Sequence, residues 1–400
     1  MKIAGIVAEY NPFHLGHQYQ IQETRRKLGE DSGIVCVMSG DFVQRGEPAV
    51  FSKFARAEAA VRCGADLIVE LPLPWCMSSA EQFAAGAVRI LNGLGVVDVL
   101  SFGSECGDAA RLEEIAACLC GEEYRLELRR FLNERLPYAV CRQKAVEKIL
   151  GPEHAAVLSS PNDNLAVEYL KAIRRYELPI TPLAVRRTGA GHDAFTAGDI
   201  RSGAELREIL THGEDISPFL PREAYDTFQR EVQQGRGPVT PSTLEPLLLS
   251  RLRMLPETAF AAVPDAGEGL EHKLSAACGT LSSLEDIYAH VKSKRYTHAR
   301  IRRMTLSAAL GIKKEQLYES PPYARILAFN DIGASILRTA KGTCGIPILS
   351  KAARIKALES PAQAIFELTA KAHDLYVLAY QNQIFRLGGQ DWQESPRCIC

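Results

Sequence analysis

A chain of 400 residues with 47 lysines and arginines against 48 aspartates and glutamates carries a net charge of -1. That length buries a substantial core and leaves room for two domains, while the balanced charge excludes a uniformly basic nucleic-acid binder and confines any RNA affinity to local patches. The opening Met1-Lys2-Ile3-Ala4-Gly5 lacks the basic, apolar and small-residue regions of a signal peptide, and no apolar run approaches a membrane span, so a cytoplasmic protein with no membrane partner and no DNA partner is expected.

Residues 2–8 are apolar and β-branched enough for a buried strand, Asn11-Pro12 breaks it, and residues 17–28 run on at helical spacing toward Arg25, Arg26 and Lys27. Strand and helix are joined by His14-Leu15-Gly16-His17. A helix N-terminus thus faces the carboxyl end of a strand, where an open parallel sheet binds phosphates through unpaired N–H groups and the helix dipole. Gly16 admits a ligand close to the backbone, and the two imidazoles can converge on one phosphate as charge develops during displacement. Such a turn by itself is also compatible with an ordinary surface turn. Its place directly behind the first strand is the context in which nucleotidyltransferases and class I aminoacyl-tRNA synthetases use it.

Further apolar strands at 33–38, 65–71 and 96–102 alternate with helical stretches at 52–63 and 80–94, which predicts an α/β fold with a parallel sheet and crossover helices. The second strand leads into the glycine-rich loop from Met38 to Pro48, too polar for core and open to reading as a plain surface loop. After the fourth comes Phe102-Gly103-Ser104-Glu105, where Gly103 would let an adenine or ribose lie against the backbone. Residues 108–160 read as a helical insertion, punctuated by Pro161-Asn162-Asp163-Asn164 before a helix at 165–175. A strand at 180–185 returns to the sheet and ends in Arg186-Arg187, whose planar forks suit phosphate.

A short helix at 200–210 precedes a stretch without periodicity and the breakers Gly235, Gly237, Pro238 and Pro241. This divides the chain into a catalytic domain at 1–215 and a mainly helical domain at 216–400, with strands at 324–329 and 346–349. The 11 cysteines include no Cys-x-x-Cys, so no metal ligands are assigned. Lys292, Lys294, Arg295, Arg300, Arg302 and Arg303 fall within twelve residues that hold no acid. A solvated helix face is one reading of that run. Local positive density on a neutral protein favours an RNA surface, with Tyr296 and His298 placed to contact a base or sugar.

The Glu-Tyr-Asn-Pro-Phe-His-Leu-Gly-His at 9–17, the Met-Ser-Gly-Asp-Phe-Val-Gln-Arg-Gly-Glu-Pro-Ala at 38–49, the Phe-Gly-Ser-Glu at 102–105, the Pro-Asn-Asp-Asn-Leu at 161–165 and the Lys-Arg-Tyr-Thr at 294–297 occur in this order. Together they resemble the bacterial tRNA(Met) cytidine acetate ligase family, over nearly the whole chain. The resemblance implies a Rossmann-like, HUP-type nucleotidyltransferase domain that activates acetate with ATP and acetylates N4 of the wobble cytidine of elongator tRNA(Met). Carried over by position, the ATP site comprises Ile6, Val7, Ala8, Glu9, Tyr10, Asn11, Pro12, Phe13, His14, Leu15, Gly16, His17, Gln18 and Tyr19, together with Gly103, Asn162 and Arg187. His14 and His17 would be catalytic, Arg186 and Arg201 further phosphate contacts, and Lys294, Arg295, Arg300, Arg302 and Arg303 contacts to tRNA. One departure concerns 195–201, Phe-Thr-Ala-Gly-Asp-Ile-Arg, where Gly198 replaces a hydroxyl residue of the family's loop.

The chemistry suits these residue types. Acetate attacks the α-phosphate in line, so two histidines, helix N–H groups, Mg²⁺ and arginines suffice without a nucleophilic side chain. Shielding the acetyl-adenylate from water calls for a small pocket around the methyl group. Loop 38–46 and the strand end from Ser101 to Ser104 are candidates, whereas the carboxylates of Glu9 and Glu105 would repel acetate. Two rivals fit the turn alone: an adenylyltransferase acting on a small phosphorylated metabolite, and a nucleotide-sensing RNA-binding protein without catalysis. The basic run counts against the first, and the second would bind ATP without exchanging pyrophosphate into it.

Overall fold

The computed structural model describes residues 1–134, 136–187 and 201–400. Its strands are β1 (Ile3–Ala8), β2 (Gly33–Ser39), β3 (Phe42–Val43), β4 (Glu47–Pro48), β5 (Leu67–Leu71), β6 (Val99–Ser104), β7 (Thr181–Arg186), β8 (Ala324–Phe329), β9 (Ile348–Leu349) and β10 (Arg397–Cys398). Every residue of β2 and of β5 is buried, which is why they read as unbroken apolar runs: both faces of a parallel sheet are covered. Period-two alternation then sorts the side chains. Ile34, Cys36 and Met38 enter one core with Phe54 and Ala57, while Val35 and Val37 enter the other with Phe83 and Leu91.

The sheet order is β10-β8-β5-β2-β1-β6-β7, with β9 on β8. β1 lies parallel between β2 and β6, and β7 extends the sheet parallel to β6. The chain therefore builds outward from β1 in one direction and then returns to its other side. That reversal opens a crevice beyond the carboxyl ends of β1 and β6, the place where open α/β sheets bind ligands. β3 and β4 form a separate hairpin within the loop after β2.

Helices α1 (Leu15–Leu28), α2 (Lys53–Arg62) and α3 (Ala80–Gly93) follow the first strands. The insertion consists of α4 (Ala109–Cys120), α5 (Glu122–Asn133), α6 (Tyr138–Leu150) and α7 (Pro152–Val157). Next, α8 (Pro161–Arg175) begins at the proline expected to precede it. Proline is at home in a first turn because its missing N–H would be unpaired there, so Asn162 and Asp163 belong to the helix N-terminus. No helix among the described residues is long and apolar enough to cross a membrane.

The sheet does not stop at the division expected near residue 215. β8 pairs antiparallel with β5, and β9 and β10 pair with β8. Five of its six residues are buried, and such a strand needs ladder partners as well as cover on both faces. A buried charge cluster joins the same parts. Lys53 Nζ lies 2.8 Å from Glu70 Oε1 and 2.6 Å from Asp391 Oδ2, and Arg325 Nη1 lies 2.8 Å from Asp391 Oδ2. Beside them Asp41 Oδ2 is 2.8 Å from His373 Nδ1. Lys53, Glu70 and Asp391 are fully buried.

Candidate active site

The His-x-Gly-His turn caps α1 with imidazoles. His14 Nδ1 accepts the Gly16 N–H at 3.0 Å, and the His14 N–H donates to His17 Nδ1 at 3.2 Å, a reciprocal arrangement in which two rings replace the hydroxyl and carboxylate of an ordinary capping box. Because each Nδ1 is an acceptor, each neutral ring carries its proton on Nε2. The site thus owns two N–H donors held in register, with ring centroids 3.7 Å apart. Burial, and after it the charge of Arg187, lowers the His14 pKa to about 3. Burial, His14 and Arg187 push His17 well below its usual value. Both rings are neutral at neutral pH.

This carries a stability signature. The folded pKa values lie below the unfolded value of roughly 6.5, so between that value and about 3 the unfolded chain takes up protons at His14 that the folded chain does not. Stability contributed by the neutral rings is complete above the unfolded pKa and falls as pH drops through it. At pH ~5.5 the loss should reach up to about 1.4 kcal/mol per histidine. Urea midpoints between pH ~7.5 and ~5.5 should fall less for a His14→Gln, His17→Gln double variant than for wild type; equal slopes would show that the rings titrate normally.

The rest of the turn is scaffolding. Tyr10 adopts φ +47, unusual for a residue with a Cβ, and its hydroxyl shares a 3.2 Å hydrogen bond with Cys36 Sγ. Asn11 accepts the Val50 N–H at its Oδ1, and its carbonyl accepts from Arg207. Ile6, Tyr10, Asn11 and Phe13 are buried core groups, whereas Val7, Ala8, Glu9 and His17 line the cleft. His14 is buried and stacks on His17.

Two adjoining clefts of about 410 and 320 Å³ share Gln20, Gly103 and Arg187. Gly16, Tyr19, Arg186 and Arg201 line the second, and Asn162 lines the first. Of the positions expected to contact ATP, the clefts bring together Val7, Ala8, Glu9, Gly16, His17, Tyr19, Gly103, Asn162 and Arg187, whereas Ile6, Tyr10, Asn11, Pro12, Phe13, His14, Leu15 and Gln18 line neither. Arg187 lies across Gly103, where a Cβ would sit 3.3 Å from Arg187 Cγ. Its Nη1 is 3.5 Å from Asn162 Oδ1. Arg201 pairs with Glu205 at 3.2 Å; residues 195–200 of the loop with the Gly198 departure lie outside the described residues.

Carboxylates fasten β6 to α8. Asp163 accepts the Ser104 hydroxyl at 2.5 Å and the Glu105 and Cys106 N–H groups, while Glu105 accepts from Asn162 Nδ2 and the Asp163 N–H. Ser104 is thereby engaged, and Ser101 Oγ is 2.6 Å from Thr24 Oγ1, so both hydroxyls have partners within the fold, while Phe102 and Gly103 between them line the larger cleft. Glu9 Oε1 accepts the Gln44 N–H at 2.8 Å, and burial raises its pKa. Among the described residues, no group of three or more His, Cys, Asp or Glu could hold a metal ion.

The arginines of the basic run turn out to be paired with acids distant in sequence. Arg300 Nη1 lies 2.7 Å from Glu268 Oε2, Arg303 Nε lies 2.7 Å from Asp265 Oδ2, and Arg302 pairs with Glu47 of β4. Gly46, at φ +75, lets the hairpin meet this helix, since a Cβ there would lie 2.5 Å from Arg303 N. Tyr296 is buried, with its hydroxyl on the Glu268 carbonyl. The expectation of a free phosphate surface therefore narrows to exposed Lys294 and Arg295, the latter 3.6 Å from Glu268.

Cleft residues that sequence reasoning passed over include Gln20, Phe83 and Tyr169. Gln20 was within reach, because three residues beyond His17 on a helix is the same face. The others come from elements that only the tertiary fold brings to the crevice.

The HIGH Nucleotidyl Transferase family model matches residues 1–391. The tRNA(Met) cytidine acetate ligase of Acetivibrio thermocellus is 37% identical over 414 residues, covering 99% of each chain. That of Syntrophomonas wolfei is 36% identical over 413 residues, again covering 99% of each. The crystal structure of Thermotoga maritima TmcAL bound with alpha-thio ATP is similar with a TM-score of 0.94 and 31% identity, covering 100% of both chains. Similarity of this extent, together with the His-x-Gly-His turn at the β1–α1 junction, means that the chain belongs to the tRNA(Met) cytidine acetate ligase family of HIGH nucleotidyltransferases.

Proposed function

We propose that this chain is an ATP-dependent ligase that joins acetate to AMP and passes the acetyl group to N4 of the wobble cytidine of elongator tRNA(Met), in the cytoplasm. An acetate oxygen bonds to the α-phosphorus and pyrophosphate leaves. The cytidine N4 amine then attacks the acetyl carbonyl carbon, the bond to AMP breaks, and N4 gives up a proton. The observation that carries the reading is the pair of neutral imidazoles with Nε2–H donors beside Arg187 at the β1–β6 crevice. Such donors stabilise charge on phosphate without needing to reorganise. The relatives named above favour this reading over a metabolite adenylyltransferase or a non-catalytic sensor. Mg²⁺ would arrive on the ATP phosphates, since it keeps much of its water and needs few protein oxygens. Lys294 and Arg295 would meet tRNA phosphates.

The test is exchange of labelled pyrophosphate into ATP with acetate, formate and propionate offered separately, followed by transfer of labelled acetyl to elongator tRNA(Met) and to a tRNA lacking a wobble cytidine. Acid-dependent exchange and transfer to the first tRNA only are expected; ATP binding without exchange would sink the ligase reading. Arg187→Ala should raise the KM for ATP and slow exchange together, because one guanidinium both binds phosphate and neutralises developing charge. Unchanged ATP kinetics would remove Arg187 from the site.

A further inference from the structure

The ligase reading requires a place for the methyl group of acetate, and the larger cleft continues past the residues assigned to ATP. Asn162, Leu165 and Tyr169 all line it and, at spacings of three and four, share one face of α8. At 1.5 Å per residue, Tyr169 lies about 10 Å along the helix from Asn162. The cleft thus runs from the polar crevice into a region walled by Phe83 and Ala80 of α3 and by Leu165 and Tyr169 of α8. Phe83 is 2% exposed and Tyr169 4% exposed, so the core fixes these walls. The ring of Tyr169 is backed by Phe102, at 6.3 Å between centroids.

We propose that this apolar end is the acyl pocket, and that Phe83 and Leu165 set the length of carboxylic acid the enzyme activates. The rest of the cleft orients the acid. One acetate oxygen must face the α-phosphorus near His17 and Arg187, so the methyl points away from them, along α8. Arg45 lines the same cleft and makes no hydrogen bond or ion pair among the described residues, so its charge, which acts on Glu9 at longer range, can also serve an entering carboxylate. Glu9 opposes acetate less than its formula suggests: Gln44 holds one of its oxygens, and burial disfavours its ionised form. The methyl takes no part in bond making, so the pocket discriminates by volume alone. In a hydrophobic pocket one methylene is worth roughly 10- to 200-fold.

The assignment rests on the ligase reading, and one experiment separates the two. Pyrophosphate exchange is measured on the full chain with acetate and propionate, for wild type, Phe83→Leu and Leu165→Ala. Each variant is expected to raise the ratio of kcat/KM for propionate over acetate by about tenfold or more. Reading a ratio cancels losses of stability or ATP affinity. If Phe83→Leu does not fold, the half-buried Leu165 decides. Ratios within about twofold of wild type in the folded variants, or a wild type that uses both acids equally, would overturn the assignment. Unchanged ratios with a selective loss of transfer to tRNA would also overturn it, giving the pocket to the acceptor base. A wild type without acid-dependent exchange would instead remove the ligase reading, and the acyl pocket with it.

Discussion

His17→Ala should lower acetate-dependent pyrophosphate exchange by about a hundredfold to a thousandfold, the usual cost of losing one preorganised transition-state donor. The ring is held from three sides: its Nδ1 takes the His14 N–H, His14 stacks on it, and Tyr10 meets it edge-on at 4.9 Å. Its Nε2–H therefore needs no rearrangement when charge appears on the phosphate. Alanine removes donor and orientation together while leaving His14 to cap α1. His14→Ala should cost as much in rate and about 1 kcal/mol more in stability, because it also deletes the helix cap. Melting curves with exchange rates on the same preparations check both. A folded variant with near-normal exchange would show that its histidine only shapes the turn.

The largest effect on stability is expected at Asp391, far from the chemistry in sequence. Burial alone would raise its carboxyl, but Lys53 and Arg325 hold it well below the usual range. Asp391→Ala leaves those two buried cations with Glu70 and with Asp41, which lies 3.9 Å from Lys53 and is already held by His373. Removing one member of a buried ion pair typically costs about 3–5 kcal/mol. The denaturation midpoint should fall accordingly with little change in slope. A shift below about 1 kcal/mol would mean that solvent reaches the cluster and screens it as it does surface pairs.

The parallel strands β1, β2, β5 and β6 were legible because burial on both faces demands continuous apolar runs, and the strand–turn–helix around His14 was legible because its spacing is local. Helix α8 was read as beginning after Asn164, since a proline-asparagine cluster signals a turn as readily as a first helical turn. The strand at 324–329 was visible as a strand, but its antiparallel place beside β5 was not, because an apolar run does not name its neighbour. The basic run misled for a similar reason. A charge count along the chain registers no acid near Arg302, yet Glu47 lies against it across 255 residues of sequence. Phe83 and Tyr169 were not singled out in the sequence because nothing local distinguishes a wall of the cleft from a wall of the core, and here they are the same side chains.

The pairing of β5 with β8 also bears on how the protein is made. Glu70 meets Arg325 only after 255 further residues have been added. At 5–20 residues per second, synthesis leaves the β5 edge unpaired for roughly 13–51 seconds. An apolar strand with open N–H and C=O groups is a template for pairing with other chains. Nascent chains that stall before residue 324 should therefore be the ones that aggregate, and a shortened catalytic fragment would carry the same open edge permanently.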